Sequence, residues 1–159
     1  MLEQHAAHGV RHLIQYSRID ATDIPYTDEF DIVVFKSILG GIGRHHGKGS
    51  QAKAIKEMYK ALKPNGELLF AENLSASWLH RTLRRKFVQW GSAWRYVSVA
   101  EMQELLSPFS EMKYRTLGVT GALGRGEIQR RMLGLLDQAI LNYIVPESWR
   151  YIIIGVARK

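Results

Sequence analysis

Two short apolar runs set the architecture available to this chain. Ile32-Val-Val-Phe35 and Glu67-Leu-Leu-Phe-Ala71 have strand length, and between them Ile55, Tyr59 and Leu62 recur at helical spacing. A continuous apolar run suits a strand covered on both faces, as in a parallel sheet. Parallel neighbours need a crossover of a dozen or more residues, and the helix read over Gln51 to Leu62 supplies it. The order strand, helix, strand therefore predicts a βαβ unit in an α/β domain.

The rest of the chain extends that pattern. Met1 to His12 is polar with short-helix character, and Leu13 to Ile19 has strand-like alternation leading into Asp20. Gly40 to Gly49 reads as a loop, with Ser50 as the N-cap of the helix that follows. Lys63-Pro-Asn-Gly66 ends that helix, with Gly66 expected at positive φ. Ser77 to Trp90 reads as a helix with Leu79, Leu83, Phe87 and Trp90 in line. Ser98-Val-Ala-Glu101 is a capping box opening a helix through Leu106, with Val97 and Met102 as its hydrophobic staple and Ser107-Pro108 as its stop. Met112 to Val119 and Tyr151 to Arg158 read as strands. Glu127 to Tyr143 reads as a long helix with Ile128, Met132, Leu135, Leu136, Ala139, Ile140 and Tyr143 on its apolar face. No linker or repeat divides residues 1–159, so one domain is expected.

The net charge of +7, from 22 basic and 15 acidic residues, permits attraction to anionic surfaces. Much of it sits in His80 to Lys86 and Arg125 to Arg131, which read as solvated faces of amphipathic helices. Nucleic-acid binding through Arg81, Arg84, Arg85 and Lys86 ranks last, because no recognised motif accompanies them. The chain has no cysteine, so no disulfide frame or thiolate site is available. Its apolar runs are too short to cross a bilayer, and Met1-Leu-Glu-Gln-His lacks signal-peptide character. A cytoplasmic protein without membrane partners is expected.

Three segments together resemble the second half of the nucleotide-binding domain of class I S-adenosylmethionine-dependent methyltransferases. Asp20-Ala-Thr-Asp-Ile-Pro-Tyr26 is similar to the acidic turn after the family's third strand. Phe30-Asp-Ile-Val-Val-Phe-Lys-Ser-Ile-Leu39 resembles the fourth strand and its exit loop. Ala61-Leu-Lys-Pro-Asn-Gly-Glu-Leu-Leu-Phe-Ala-Glu72 resembles the turn and fifth strand. The resemblance implies a Rossmann-like, mostly parallel sheet with flanking helices. It also implies S-adenosylmethionine as cofactor, contacted by Asp20, Ala21 and Thr22 at the adenine and by Phe35, Lys36 and Ser37 near the methionine portion. A carboxylate at residue 20 would restore hydrogen bonds that a buried adenine edge loses to water; alone, it would read as a turn or cap aspartate. Glu72 and Asn73, at a strand's carboxyl end, either orient a small-molecule acceptor or cap the following loop.

The family's first two strands and its Gly-x-Gly-x-Gly loop have no counterpart in this sequence. The domain is accordingly expected to be truncated, with a gapped or exposed sheet edge that invites homo-oligomer formation. A non-enzymatic binding or assembly module is the alternative reading. No residue is nominated as a catalytic base. Gly43 to Ser50 fails the spacing of a phosphate loop, and His45-His46 lacks nearby partners for a metal. Trp78, Trp90, Trp94 and Trp149 read as packing residues, and His80 as a surface helix residue.

Overall fold

The computed structural model describes residues 9–87, 94–121, 124 and 126–159, without the side chains of Arg11, His45, His46 and residues 83–87. The expected helix start at Met1 to His8, the Trp90 position and Arg125 lie outside these residues, as do the side chains of Leu83, Arg84, Arg85, Lys86 and Phe87.

Strand β1 (Phe30–Lys36) leads through helix α1 (Leu39–Ala61) to strand β2 (Leu62–Asn73). Helices α2 (Trp78–Phe87) and α3 (Val99–Leu105) precede strand β3 (Glu111–Leu117), and helix α4 (Glu127–Leu136) precedes strand β4 (Ile152–Arg158). The sheet order is β1-β2-β4-β3. The βαβ unit forms as expected, with Val33, Val34 and Phe35 in parallel register with Leu68, Leu69 and Phe70. Against that parallel pair, β4 pairs antiparallel with both β2 and β3, so the sheet is mixed. Three strands point one way, and β4 is slotted between two of them in the opposite sense.

Other expectations change with physical cause. Leu13 to Ile19 forms no strand: a 3-10 turn at Arg11–Leu13 gives way to irregular chain, with Leu13, Tyr16 and Ile19 exposed. Among the described residues the backbone of that segment has no ladder neighbour, and β1 remains the sheet edge. The glycine-rich stretch is helical, not a loop, so Ser50 lies within α1 instead of capping it. A kink at Gly47 (φ 67°) absorbs the break between its two halves. At the helix exit, the left-handed residue is Asn65 (φ 65°). Gly66 serves close approach instead, because a β-carbon there would lie 2.9 Å from the Lys63 carbonyl oxygen and 3.1 Å from that of Asp31.

The capping box and staple form as expected. Ser98 accepts from the Glu101 N–H, Glu101 accepts from the Ser98 N–H, and Val97 and Met102 are buried. One face of the sheet packs Phe35, Leu68, Phe70 and Ile153 against α1 and α3 residues such as Ile55, Met58 and Met102, and this is the core. The opposite face is bare among the described residues, with Val34, Lys36, Lys113, Arg115 and Ile154 exposed on it. Register places Val34, Leu69, Val156 and Lys113 in one row across it, and Lys36, Ala71, Ile154 and Arg115 in the next. Helix α4 continues through a π-helical turn, Asp137–Leu141, to Ile144, and Ile128, Met132, Leu135, Ile140 and Tyr143 along it are exposed. Among the described residues no helix is long and apolar enough to cross a membrane.

Candidate functional site

The carboxyl ends of β1 and β2 meet at a tightly bonded loop. Lys36 is the last residue of β1, and Ser37 then turns the chain with φ 52°, a conformation rare outside glycine. The Ser37 N–H donates to the Ala71 carbonyl at 2.8 Å, and Asn73 Nδ2 donates to Ser37 Oγ at 2.9 Å. Glu72 is 1% exposed. Its carboxylate accepts from the Leu39 N–H at 2.8 Å, the first residue of α1, and from the Asn73 N–H at 2.8 Å. Burial raises the Glu72 pKa above its ordinary value, against the opposing pull of the Asn73, Leu39 and Ile38 N–H groups. Glu72 thus fastens the first turn of α1 to the end of β2, supplying an acceptor for donors that helix geometry leaves orphaned.

A second clasp covers the same helix end. Gln51, fully buried, donates through Nε2 to the carbonyls of Leu39 (2.8 Å) and Arg95 (3.0 Å), and accepts from Arg95. Arg95 also pairs with Glu101, and its N–H donates to the Gly40 carbonyl at 3.1 Å. A β-carbon at Gly40 would lie 2.7 Å from Trp94 Cε3, so glycine lets the indole close over α1. Sequence reading missed Gln51 and Arg95, because their contact with each other joins segments 44 positions apart.

The predicted residues fall into two groups. Phe35, Lys36 and Ser37 lie with Glu72 and Asn73, joined by the bonds above. The Phe35 side chain is core, stacked on Phe70 with ring centroids 6.2 Å apart, which leaves its backbone for any ligand. Lys36 is exposed on the bare face. Asp20, Ala21 and Thr22 form a separate turn. The exposed Asp20 carboxylate accepts from the Thr22 N–H (2.8 Å) and Oγ1 (2.9 Å), which hold its pKa below the usual value. Ala21 and Ile24 pack on the core, and the Ile24 N–H donates to Glu57 of α1 at 3.1 Å. All the hydrogen bonds of Asp20 and Thr22 described here stay within their own turn, and none reaches the β1 exit loop.

Two further expectations are corrected. His80 is buried, with Nδ1 2.9 Å from Ser77 Oγ and Nε2 2.5 Å from the Val119 carbonyl oxygen, because α2 packs against the chain leaving β3. Trp78 and Trp149, expected as packing residues, are largely exposed. Asp137 went unremarked in sequence, although an acid inside Leu135-Leu-Asp-Gln-Ala-Ile140 was a signal. It is buried and accepts from the N–H groups of Val119 (3.0 Å), Thr120 (2.9 Å) and Gly121 (2.9 Å).

A sequence-family model described as a methyltransferase domain matches residues 4–133. No curated protein sequence matches the chain. Among solved structures, the [4+2]-cyclase SpnF aligns with TM-score 0.58 and 18% identity, over 99% of this chain and 60% of its own. An S-adenosylmethionine-dependent methyltransferase from Thermotoga maritima aligns with TM-score 0.60 and 17% identity, over 96% of this chain and 68% of its own. Phosphoethanolamine N-methyltransferase 2 of Haemonchus contortus, solved with S-adenosylhomocysteine, aligns with TM-score 0.60 and 15% identity, over 99% of this chain and 40% of its own. The chain thus spans between two fifths and about two thirds of the length of these structures. On the family match and the shared α/β fold, it belongs to the methyltransferase-domain family, with the architecture of the class I S-adenosylmethionine-dependent enzymes.

Proposed function

We propose that this chain carries part of the cofactor and acceptor site of an S-adenosylmethionine-dependent methyltransferase with a small-molecule acceptor, and that the 159 residues alone bind the cofactor only weakly. The observation that carries the reading is the β1 exit loop. It lies beyond the carboxyl ends of the parallel strands, where ligands bind in open α/β sheets, and is fastened by Glu72 and Asn73. The residues present fit the cofactor in part. Asp20 offers an exposed acceptor in a fixed turn, suited to an adenine amino group, with the backbone of Ala21 and Thr22 beside it. Phe35, Lys36 and Ser37 offer backbone near the methionine portion, while the N–H of Ser37 is already engaged by Ala71. The glycine-rich loop that would approach the phosphate-free ribosyl chain closely is not in this sequence.

When bound, the cofactor supplies an activated methyl group. The protein's share is to fix donor and acceptor in line, because positioning alone removes much of the barrier to such a displacement. Ser37, held by Asn73, sets the backbone at that point. Glu72 is spent on the Leu39 and Asn73 amides, so of the two acceptor-site candidates only Asn73 keeps polar capacity for a ligand.

Calorimetry and an amide NMR titration with S-adenosylhomocysteine test the proposal. No micromolar binding is expected, with millimolar ligand shifting the Ala21, Thr22 and Ser37 amides; Asp20→Ala should remove the first two shifts. Micromolar affinity would refute the weak-site reading, and unmoved amides at those positions would refute the cofactor assignment.

A further inference from the structure

A cleft past the carboxyl end of β2 brings one cation and one anion to the same space and keeps them apart. About 450 Å³ in volume, it opens between the chain leaving β2, the start of α2, helix α3, strand β3 and the 3-10 turn Glu147–Trp149. Arg81 of α2 and Glu147 are the only charged side chains lining it among the described residues, and no ion pair joins them. Each is held on a separately anchored element. His80 ties the first turn of α2 to Ser77 Oγ (2.9 Å) and to the Val119 carbonyl. Arg150 ties the chain after Trp149 to Thr116 Oγ1 of β3 at 3.1 Å.

The other lining groups add neutral donors and an apolar wall. Tyr114 Oη accepts from Gln103 Nε2 at 3.0 Å and makes only a long bond, 3.4 Å, to Glu147 Oε2. Burial and the Glu147 carboxylate raise the Tyr114 pKa above its ordinary value, so the hydroxyl remains a donor. Ala76 and Val99 supply apolar surface. Ala76 is also strained, at φ 54°, and its neighbours hold it there: the Ser75 N–H donates to the Val97 carbonyl at 2.9 Å, and Ser77 is bound to His80. Backbone strain of this kind persists where the surroundings fix it, and it clusters at ligand clamps.

Charge selects the ligand class. An anion alone meets Glu147 unfavourably and a cation alone meets Arg81, whereas a molecule carrying both charges satisfies the two. We propose that this cleft binds a small zwitterion of the α-amino-acid class, with its carboxylate on Arg81, its ammonium on Glu147 and an apolar side chain against Ala76 and Val99. A guanidinium takes a carboxylate through two parallel N–H bonds, which fixes orientation as well as charge. Neither Asn73 nor any cofactor candidate lines the cleft, so the proposal stands apart from the methyl-transfer reading.

The test uses the 159-residue protein without cofactor and three probes: L-phenylalanine, its methyl ester, which lacks the carboxylate, and its N-acetyl derivative, which lacks the ammonium. Calorimetry should give L-phenylalanine a Kd of about 1 mM or lower, with each derivative at least tenfold weaker. Arg81→Met should abolish the preference over the ester while keeping most of that over the N-acetyl compound, and Glu147→Gln should do the reverse. Arg115→Ala, outside the cleft, should change neither preference. Amide shifts in the unmodified protein should centre on Ser75, Ala76 and Ser148, a readout that needs no variant to fold. Equal affinity for the three probes, no heat with millimolar L-phenylalanine, or shifts confined to other residues would overturn the proposal. So would Arg81→Met and Glu147→Gln weakening all three probes alike.

Discussion

Replacing Glu72 should loosen the β1 exit loop and cost a measurable fraction of stability. In Glu72→Ala the N–H groups of Leu39 and Asn73 lose acceptors at 2.8 Å, and Leu39 is fully buried. An unsatisfied buried donor costs roughly 1–3 kcal/mol, and recovery of the carboxylate's desolvation offsets part of it, leaving about 2–4 kcal/mol. For a domain of this size that corresponds to a fall of about 5–15 °C in Tm. Glu72→Gln keeps one oxygen but turns an NH₂ toward a backbone N–H, so it should fall between the two. Burial raises the native Glu72 pKa, so its contribution is greatest below the ordinary value of 4.5 and is lost as pH rises through the raised value. The gap between wild type and Glu72→Gln should therefore widen on acidification from neutral pH. Urea denaturation from pH 4 to 8, with hydrogen exchange at the Leu39 amide, measures both. Unchanged exchange at Leu39 with a Tm within about 1 °C of wild type would refute the fastening role.

Asp137→Asn should destabilise by about 2–4 kcal/mol, because one carboxylate oxygen of the nest for Val119, Thr120 and Gly121 is lost. Burial pushes the Asp137 pKa upward, but the Gly121 and Thr120 N–H groups outweigh it and the net shift is downward. Its contribution is thus present above the ordinary value of 3.8 and lost as pH falls through the lowered one, so urea midpoints of wild type and variant should converge in acid. Gly66→Ala should cost about 1–3 kcal/mol by thermal denaturation, since the new methyl meets backbone oxygens of Lys63 and Asp31 that cannot rotate away. Asn65→Gly, at φ 65°, should be neutral within about 1 kcal/mol in the same assay.

The βαβ unit was legible because both of its signals are local. Apolar runs at Val33 to Phe35 and Leu68 to Phe70 mark strands, and the helix between them supplies the crossover that a parallel pairing needs. The Ser98 capping box was legible for the same reason, all its partners lying within three residues. Helix at Gly40 to Gly49 was not legible, since glycine propensity argues against it and the stabilising contacts come from Trp94 and Arg95.

Part of the site divides along the same line. Residues 35–37 and 72–73 were readable as strand ends, so their neighbourhood followed from the βαβ geometry. What Glu72 does there was decided by tertiary structure, which aims its carboxylate at the start of α1. The burial of His80 and Asp137, and the bare face carrying Val34 and Ile154, were decided the same way. Sequence alone determines backbone periodicity and caps, because those depend on neighbours a few residues apart. Which face is covered, and which polar group is satisfied, depends on segments tens of residues away, and only the packed chain brings them into contact.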